Sequence, residues 1–347
     1  MQPVNGSRAL ILAGGLTLAL AVGLPAAATA RQADPPSADA ETGATPSAEE
    51  RGPALPPEPA DLKLHVEGAR DGSMIVGSRV KSIARMKPFV DDQEIVVTLT
   101  KGSKTIKKQT LKVKQVRNRD VGKVTMRSRK LIKPGKFQVT ATHEATLEQE
   151  GAEKHSRRFH VKYPDLRPGQ HANAVGVFNR LLRRQGYYVS GGNSYGEPTK
   201  RAVMAFRKVN RMPRNFDATS GMFRKLAEGK GSFRLARPGA GRHVEVDISR
   251  QVMVLADHGR AIHTFHVSTG APSTPSDRGT YRFYRRDPGY NSIGMYYSVY
   301  YNRGEAIHGY KSVPPYNASH GCIRNPIPNS RFIYNWVRIG QQIVVYG

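Results

Sequence analysis

Two short segments near the C-terminus together contain a thiol, two imidazoles and two glycines. They are His308-Gly309 and Ser319-His320-Gly321-Cys322-Ile323-Arg324, with the cysteine fourteen residues after the first histidine. A thiol is a strong nucleophile only as the thiolate, and a neighbouring imidazole can accept its proton and lower its pKa from about 8.5 towards 3.5–7.5. The residue types therefore predict a cysteine nucleophile, Cys322, with His308 or His320 as its base.

The glycines and the arginine in these segments fit acyl transfer. Gly309 and Gly321 lack a Cβ atom, so backbone or substrate can approach them closely. Acyl transfer passes through a tetrahedral oxyanion, and one backbone N–H donor to it is typically worth roughly 10²–10³ in rate. The N–H groups around Gly321 and Cys322 are the candidate donors, and Arg324 supplies a planar cation suited to a carboxylate.

The same residue types allow other chemistry. Two histidines and a cysteine are also zinc ligands, but His320-x-Cys322 is a cramped spacing without an evident acidic partner, so we expect no metal. A papain-like protease places its cysteine near the start of the mature domain and its histidine far downstream, which is the reverse of the order here. An inert cysteine would make the two His-Gly pairs a coincidence.

The first thirty residues have the layout of a secretory signal peptide. Met1–Arg8 carries one positive charge, Ala9–Leu24 is an apolar run, and Ala28-Thr29-Ala30 is a small-x-small cleavage signal. We predict cleavage after Ala30, because a membrane anchor needs about 20 apolar residues and this run is shorter. An uncleaved anchor is the alternative. The sequence therefore predicts an exported protein without stable membrane insertion after cleavage.

With export predicted, the composition indicates a chemical role for the cysteine and an anionic partner. Cys322 is the only cysteine, so it cannot form an intramolecular disulfide, and a lone thiol in an oxidising compartment indicates a chemical role. The formal net charge of +27 is spread along the chain and predicts an anionic partner. Export and the absence of an aromatic-interleaved basic motif argue against nucleic acid. We expect anionic wall polymers instead, and plain solubility is the alternative explanation of the positive charge.

Composition and the spacing of apolar residues divide the N-terminal half of the mature chain into two regions. Residues 31–60 are rich in Pro, Ala, Ser and Glu and are predicted to be a disordered linker. Residues 61–165 alternate in the strand period and predict an antiparallel, immunoglobulin-like β-sandwich, without any chemical constellation. The observations used are the shared face of Ile95, Val97 and Leu99 and the predicted turns at Gly102-Ser103 and Pro134-Gly135.

In residues 166–232 the spacing of apolar residues changes from that of a strand to that of a helix. Apolar residues recur at helical spacing, the sequence Gly186-Tyr187-Tyr188 follows the first helix, and Thr199 is a predicted N-cap of the second. This order resembles the small three-helix peptidoglycan-binding domain. Two departures, Arg207 for the usual Gln and Asp217-Ala218 for the usual Asp-Gly, make the fold a safer expectation than glycan binding.

Residues 233–347 return to strand character and contain the cysteine. Strands are predicted at 261–268, 279–285, 295–302, 305–308 and 341–346, with alternating Val244, Val246 and Ile248 before a tight turn at Ser249-Arg250. A short helix is predicted from about Ser330 to Val337. The fold class is thus multidomain and mainly β, with a β-rich C-terminal domain.

The pattern H-G…S-H-G-C-I-R resembles the signature of the L,D-transpeptidase (YkuD-type) catalytic domain. The resemblance covers roughly 243–347, including Ser268-Thr269-Gly270, Thr274-Pro275 and Gly279-Thr280-Tyr281. It implies that Cys322 attacks the meso-diamino acid carbonyl at position three of a donor stem peptide and releases D-alanine. The thioester then passes to the side-chain amine of an acceptor stem, which gives a 3→3 peptidoglycan cross-link without any cofactor.

The resemblance also implies a role for each site residue. His308 matches the general base, while His320 and Gly321 line the site and shape the oxyanion hole. The expected substrate-binding residues are Arg324, Ser319, Gly309 and Tyr297. As a regular strand, residues 295–301 would place Tyr297 and Tyr301 on one face with Met295. Tyr310 and Asn325 depart from the usual pattern.

The sequence as a whole predicts a cell-wall enzyme with peptidoglycan stem peptides and glycan as partners, acting in wall biogenesis and cell shape. An L,D-carboxypeptidase, in which water replaces the acceptor amine, is the alternative enzyme. A wall-binding protein with an inactive catalytic domain is the alternative from another class.

Overall fold

The computed structural model describes residues 56–69 and 71–347. The predicted signal peptide and almost all of the predicted linker lie outside these residues. Within the described part of the chain, no helix is long and apolar enough to cross a membrane.

Ten strands form two sheets in the N-terminal part. They are β1 (Asp61–Glu67), β2 (Ser73–Ile75), β3 (Lys81–Lys87), β4 (Glu94–Lys101), β5 (Lys104–Lys112), β6 (Lys114–Val116), β7 (Arg119–Arg127), β8 (Gly135–His143), β9 (Ala152–His155) and β10 (Phe159–Lys162). One sheet has the order β1-β3-β7-β6, and the other has the order β2-β10-β8-β4-β5 with β9 paired to β8.

Alternating side chains build one core between these two sheets. Met86 and Met126 come from the first sheet and Leu99 and Val139 from the second, and all four are fully buried in the same cluster. Because successive strand residues point to opposite faces, the apolar half of each strand faces this core and the polar half faces solvent. The turn predicted at Gly102-Ser103 is confirmed between β4 and β5. The immunoglobulin-like assignment itself stays a prediction.

Three helices follow: α1 (Asn173–Arg184), α2 (Glu197–Val209) and α3 (Ser220–Ala227). The expectation that Thr199 caps α2 was wrong. The helix begins at Glu197, where Pro198 supplies the fixed φ that favours a first turn. Thr199 lies inside the helix and its hydroxyl donates to Asn179 Oδ1 over 3.0 Å.

The unusual Arg207 of α2 has a structural explanation. Its side chain is buried, with Nε donating to the carbonyl of Asp217 and Nη1 to that of Pro213, each over 2.8 Å. The guanidinium therefore holds the loop between α2 and α3 from inside. Both departures noted in the sequence, at 207 and at 217–218, meet at this contact.

Two further sheets and one helix make up the C-terminal part. The elements are β11 (His243–Asp247), β12 (Val252–Asp257), β13 (Arg260–His266), β14 (Gly279–Arg282), β15 (Arg285–Tyr290), β16 (Tyr296–Asn302), β17 (Glu305–Tyr310), β18 (Ile323–Pro326), α4 (Ile327–Trp336) and β19 (Gln342–Tyr346). The sheet orders are β13-β12-β11-β19-β14 and β15-β16-β17-β18. A buried cluster that includes Val246, Val299, Ile307 and Ile333 lies between the sheets and α4.

Two predictions for this part need correction. The single strand expected at 279–285 is two strands, β14 and β15, and they belong to different sheets. The helix expected from Ser330 begins three residues earlier, at Ile327, because Pro328 is well suited to its first turn.

The loop after α1 joins the helices to the β13 edge. Thr264 N–H donates to the carbonyl of Gly186 over 2.7 Å, and Tyr188 N–H donates to the carbonyl of Thr264 over 3.3 Å. The ring of Tyr188 packs on Phe265 and Phe332, with centroid distances of 4.9 and 4.6 Å. The two hydrogen bonds form a short parallel bridge, which adds a segment of the helical region to the sheet at its β13 edge.

A buried lysine makes a second connection between the two regions. Lys208 of α2 is only 2% exposed. Its Nζ lies 3.1 Å from the carbonyl of Gln251, 2.8 Å from that of Val267 and 3.2 Å from His266 Nδ1. Burial lowers the pKa of Lys208 well below its ordinary value. The three acceptors match the three N–H donors of an ammonium group and favour the charged form.

We expect Lys208→Met to destabilise the chain by about 2–4 kcal/mol, because it leaves three buried acceptors without a donor. Urea unfolding followed by far-UV circular dichroism measures this change. Lys200→Met is the control, since Lys200 lies on the same helix and pairs with the exposed Glu197. Equal small effects of the two substitutions would contradict the prediction.

Candidate active site

Parallel pairing of β17 with β18 brings the predicted base and nucleophile to one face. Ile307 is opposite Ile323 and His308 is opposite Arg324. Cys322 directly precedes β18, so the same register places it beside Ala306, and it packs against the buried cluster that contains Ala306. Because side chains alternate along a strand, Cys322, His308 and Arg324 lie on the same side of the pair.

The segment Ser268-Thr269-Gly270 holds the cysteine loop in place. Ser268 and Arg324 exchange two backbone hydrogen bonds of 2.9 Å. The N–H groups of Ala318 and Ser319 donate to the carbonyl of Thr269 over 2.9 and 3.0 Å. The loop before the nucleophile is therefore fixed by backbone contacts to a segment about fifty residues earlier in the chain.

The side chain of Ser319 belongs to this scaffold. Ser319 is buried, and its hydroxyl donates to the backbone carbonyl of Cys322. Thr274 Oγ1 donates to the carbonyl of Ser319 over 3.0 Å. The structure thus gives Ser319 a role in closing the turn around the nucleophile, and a direct contact with substrate stays a prediction.

Both glycines of the motif occupy positions where another residue would be strained, Gly321 by its backbone conformation and Gly309 by lack of space. Gly321 has φ +107°, and a Cβ there would lie 3.0 Å from Glu305 Oε1. A Cβ at Gly309 would overlap Ser330 of α4 and come within 3.2 Å of the carbonyl of Tyr296. Gly321 therefore allows the turn into the nucleophile, and Gly309 allows α4 to pack against the strand that carries His308.

The position and the neutral state of His308 suit a general base. It is buried, and its Nδ1 lies 3.0 Å from the carbonyl of Gly309, so Nδ1–H donates there and Nε2 carries the free lone pair. Burial lowers the pKa of His308, the hydrogen bond to the Gly309 carbonyl raises it and the cation of Arg324 lowers it, with a net value of about 4. The imidazole is therefore neutral at neutral pH.

Cys322 rests as a protonated thiol. Burial raises its pKa, the Ala306 N–H lowers it, and the nearby Glu305 carboxylate raises it again. Its thiol donates to the carbonyl of Gly304 over 3.8 Å, and among the described residues it makes no hydrogen bond to His308. This differs from the lowered pKa that the motif predicts, because desolvation of the sulfur outweighs the neighbouring donors.

The departure at Tyr310 is explained by stacking. The Arg324 guanidinium lies 4.3 Å above the ring of Tyr310, and that ring meets the His308 ring edge-on at 5.7 Å. Arg324 Nη1 also donates to the carbonyl of Ala318 over 3.2 Å. Tyr310 thus fixes the cation beside the base. His320, by contrast, is exposed on the loop next to Cys322.

The departure at Asn325 is also structural. Asn325 is buried, and its Oδ1 accepts a hydrogen bond of 2.9 Å from the Ser330 hydroxyl of α4. The amide therefore ties the end of β18 to the helix that follows it.

The expected shared face of Tyr297, Tyr301 and Met295 was wrong. The register of β16 shifts between Tyr296 and Val299, and Tyr297 has φ +50°, so the alternation breaks there. Met295 packs in the cluster beside Cys322, whereas Tyr301 points into the main core. Tyr297 packs on Tyr296 and Tyr334, and its substrate role stays a prediction.

Two residues that contact the candidate site were missed by the sequence analysis. Glu305 is half-buried beside Gly321, burial raises its pKa, and its Oε1 accepts from Asp277 N–H over 3.0 Å. Its signal was available, since it is the only carboxylate in the strand that carries His308. Gln251 is buried and pairs with Thr269, whose N–H donates to Gln251 Oε1 over 2.9 Å. Nothing in its local sequence indicates that role.

Within 56–69 and 71–347, no group of three or more His, Cys, Asp or Glu side chains is placed to hold a metal ion.

Comparison with known proteins identifies the C-terminal part of the chain. Residues 241–345 match the family model of the YkuD L,D-transpeptidase catalytic domain, so this region is a catalytic domain of that family. No curated protein matches the chain.

Several solved structures are similar. An L,D-transpeptidase from Xylanimonas cellulosilytica is 26% identical over 53% of this chain and 98% of its own, with a TM-score of 0.49. One from Stackebrandtia nassauensis is 19% identical over 54% of this chain and 97% of its own, with a TM-score of 0.34. One from Mycobacterium smegmatis is 14% identical over 83% of this chain and 100% of its own, with a TM-score of 0.28.

Replacing Glu305 with Gln removes a negative charge beside the thiol, so we expect the pKa of Cys322 to fall. The measurement is the rate of alkylation by iodoacetamide between pH 6 and pH 10. In the unchanged chain the rate should rise only above the ordinary pKa of a free cysteine.

Asp287→Asn is the matched control, because it removes a carboxylate paired with Arg285 on the outer strand β15. It should leave the alkylation profile unchanged. Rapid alkylation of the unchanged chain at pH 6 would instead indicate a thiolate–imidazolium pair and contradict the prediction.

Proposed function

We propose that this chain is an exported L,D-transpeptidase that forms 3→3 peptidoglycan cross-links through a thioester on Cys322. The observation that carries the proposal is the shared face of Cys322 and His308 in a domain of the L,D-transpeptidase family. A nucleophilic thiol, a neutral base and a cation beside them are the groups that acyl transfer to a charged peptide requires.

The first half-reaction acylates the enzyme. His308 Nε2 takes the thiol proton as Sγ attacks the carbonyl carbon of the donor stem, so the C–S bond forms and the carbonyl oxygen becomes an oxyanion. Backbone N–H groups around Gly321 and Cys322 are the proposed donors to that oxyanion. The C–N bond to D-alanine then breaks, and the imidazolium gives its proton to the leaving amine.

The second half-reaction transfers the acyl group. The side-chain amine of the acceptor stem attacks the thioester carbonyl, and His308 removes the proton from the attacking nitrogen. The C–S bond breaks, and the imidazolium returns a proton to the sulfur, which restores the starting thiol. Atoms and charge therefore balance over one cycle without a cofactor.

A neutral resting pair suits this mechanism. A buried thiolate beside Glu305 would be costly before substrate arrives, whereas a neutral thiol and a neutral imidazole exchange one proton during attack. Arg324, half-buried and held by Tyr310, is the proposed partner for a substrate carboxylate.

The remaining regions are proposed to place the enzyme in the wall. Residues 1–30 direct export, 31–60 form a linker, and 166–232 bind peptidoglycan glycan. The support for the last role is the order of helix, Gly-Tyr-Tyr and Gly-rich loop, together with three packed helices. We propose that residues 61–165 form a β-sandwich and that residues 233–347 form the catalytic domain.

Incubation of the purified chain with disaccharide-tetrapeptide tests the reaction by mass spectrometry. We expect a dimer lacking one D-alanine, no product with Cys322→Ser, and a rate lower by about 10²–10⁴ with His308→Gln because the base is lost. Tripeptide alone would identify an L,D-carboxypeptidase. Unchanged substrate with an unmodified Cys322 would favour the non-catalytic wall-binding alternative and refute the proposal.

The pH dependence of kcat/KM tests the protonation states. Because burial holds the pKa of His308 at about 4, the base stays neutral as the pH falls from 8 to 5.5. We therefore expect no loss of rate from imidazole protonation in that range. A fall in rate with a midpoint near 6.5, the ordinary histidine value, would show that the base is solvated and contradict the assignment.

A further inference from the structure

Four cations stand side by side across one sheet of the N-terminal part. Lys63 of β1 is opposite Arg85 of β3, Arg85 is opposite Lys123 of β7, and Lys123 is opposite Lys114 of β6. The residues next to them in β3 and β7, Ala84, Met86, Val124 and Gly122, are buried, so all four cations project outward. With strands about 4.8 Å apart, this cationic row is about 14 Å long.

This arrangement opposes the stability of the sheet. Like charges directly opposite each other on neighbouring strands repel and are destabilising. Lys63 is paired with Asp61 at 3.1 Å, but among the described residues no carboxylate lies within 4 Å of the Arg85, Lys123 or Lys114 side chains. Three adjacent positive charges thus lack compensation from the folded chain.

A cavity adjoins one end of the cationic row and carries the same charge. It has a volume of about 470 Å³ and lies among β5, β6 and β7. Its lining contains four cationic side chains, Lys112, Lys114, Arg117 and Lys123, of which Lys112 is paired with Asp92 at 3.2 Å, and no carboxylate lines it. Lys114 and Lys123 belong to both features, so the row and the cavity form one continuous positive surface.

We propose that the cationic row and its cavity bind a linear phosphodiester polyanion of the cell envelope. A flexible chain of phosphates can lay successive negative charges along successive strands, and binding would relieve the repulsion within the row. The choice of polymer rests on the export included in the proposed function, but it does not depend on catalysis. None of the active-site residues lies in this part of the chain.

The surface fits a polymer better than a membrane. Of the apolar residues facing outward around the row, Ile83 is 6% exposed and Val121 is half-buried. A membrane-bound surface usually adds exposed apolar side chains that enter the headgroup region, and none of the exposed large apolar side chains among the described residues lies on these four strands. A row one residue wide across four strands also matches a single extended chain.

The test is binding of fluorescent poly(glycerol phosphate) to the full chain, followed by anisotropy at several NaCl concentrations. The row variant carries Lys63→Gln, Arg85→Gln, Lys123→Gln and Lys114→Gln. A matched control carries Lys104→Gln, Lys108→Gln, Lys154→Gln and Arg157→Gln, four exposed cations near the other sheet that change the net charge equally.

We expect the row variant to lose at least about tenfold in affinity, and its salt slope to fall by about 2–3, as removal of four phosphate contacts predicts. The control should bind nearly as tightly as the unchanged chain. Equal losses in both variants, or no loss in the row variant, would overturn the proposal. Stronger capture by phosphatidylglycerol vesicles than by the polymer would overturn it in favour of a membrane surface.

Thermal unfolding separates binding from folding. Because the row variant removes repulsion between neighbouring strands, its unfolding midpoint should be unchanged or raised. If it unfolds instead, Lys123→Gln alone, at a position between Arg85 and Lys114, should give a smaller loss of affinity in the same direction. Unchanged affinity in that folded single variant would overturn the proposal. Transpeptidation by the row variant should be normal with short soluble substrates, which distinguishes this proposal from the proposed activity.

Discussion

The parallel pairing of β17 with β18 is the constraint on which the candidate active site depends. Parallel neighbours require a connection of about a dozen residues that returns to the starting edge. Here the connection is 311–322, and it contains no helix. The fourteen-residue separation of His308 and Cys322 therefore consists of the last two residues of β17 and the twelve residues of this connection. Because this loop has no secondary structure of its own, the segment 268–270 must hold it.

Burial then decides the proton positions in the site. Burial of His308 and Cys322 disfavours both the imidazolium and the thiolate, so the pair is neutral at rest. Glu305 adds to this effect beside the sulfur. A residue with no evident place in the motif therefore affects the pKa of the thiol, because its carboxylate is itself partly buried beside the sulfur.

The catalytic domain is also tied to the rest of the chain. Lys208 reaches from α2 to carbonyls of Gln251 and Val267, and the Gln251 side chain in turn bonds Thr269, whose carbonyl holds the cysteine loop. The helical region thus contacts the scaffold of the nucleophile through a few hydrogen bonds. The N-terminal sheets contain a different feature, an uncompensated cationic row, so chemistry and polymer contact are assigned to separate parts.

Sequence alone determined which residues could react and where the period changes from strand to helix. The candidate nucleophile and base could be proposed from residue types and spacing, and the buried face of β4 and most strands near the site could be predicted, because alternation and turn residues are local properties. Three features could not be predicted: the face on which Tyr297 lies, the division of residues 279–290 into two strands, and the neutral state of Cys322. Bulges, the assignment of a strand to a sheet, and desolvation all depend on contacts between segments that are distant in sequence. The cross-strand neighbours of Arg85 depend on them too. Only the tertiary structure determines these contacts.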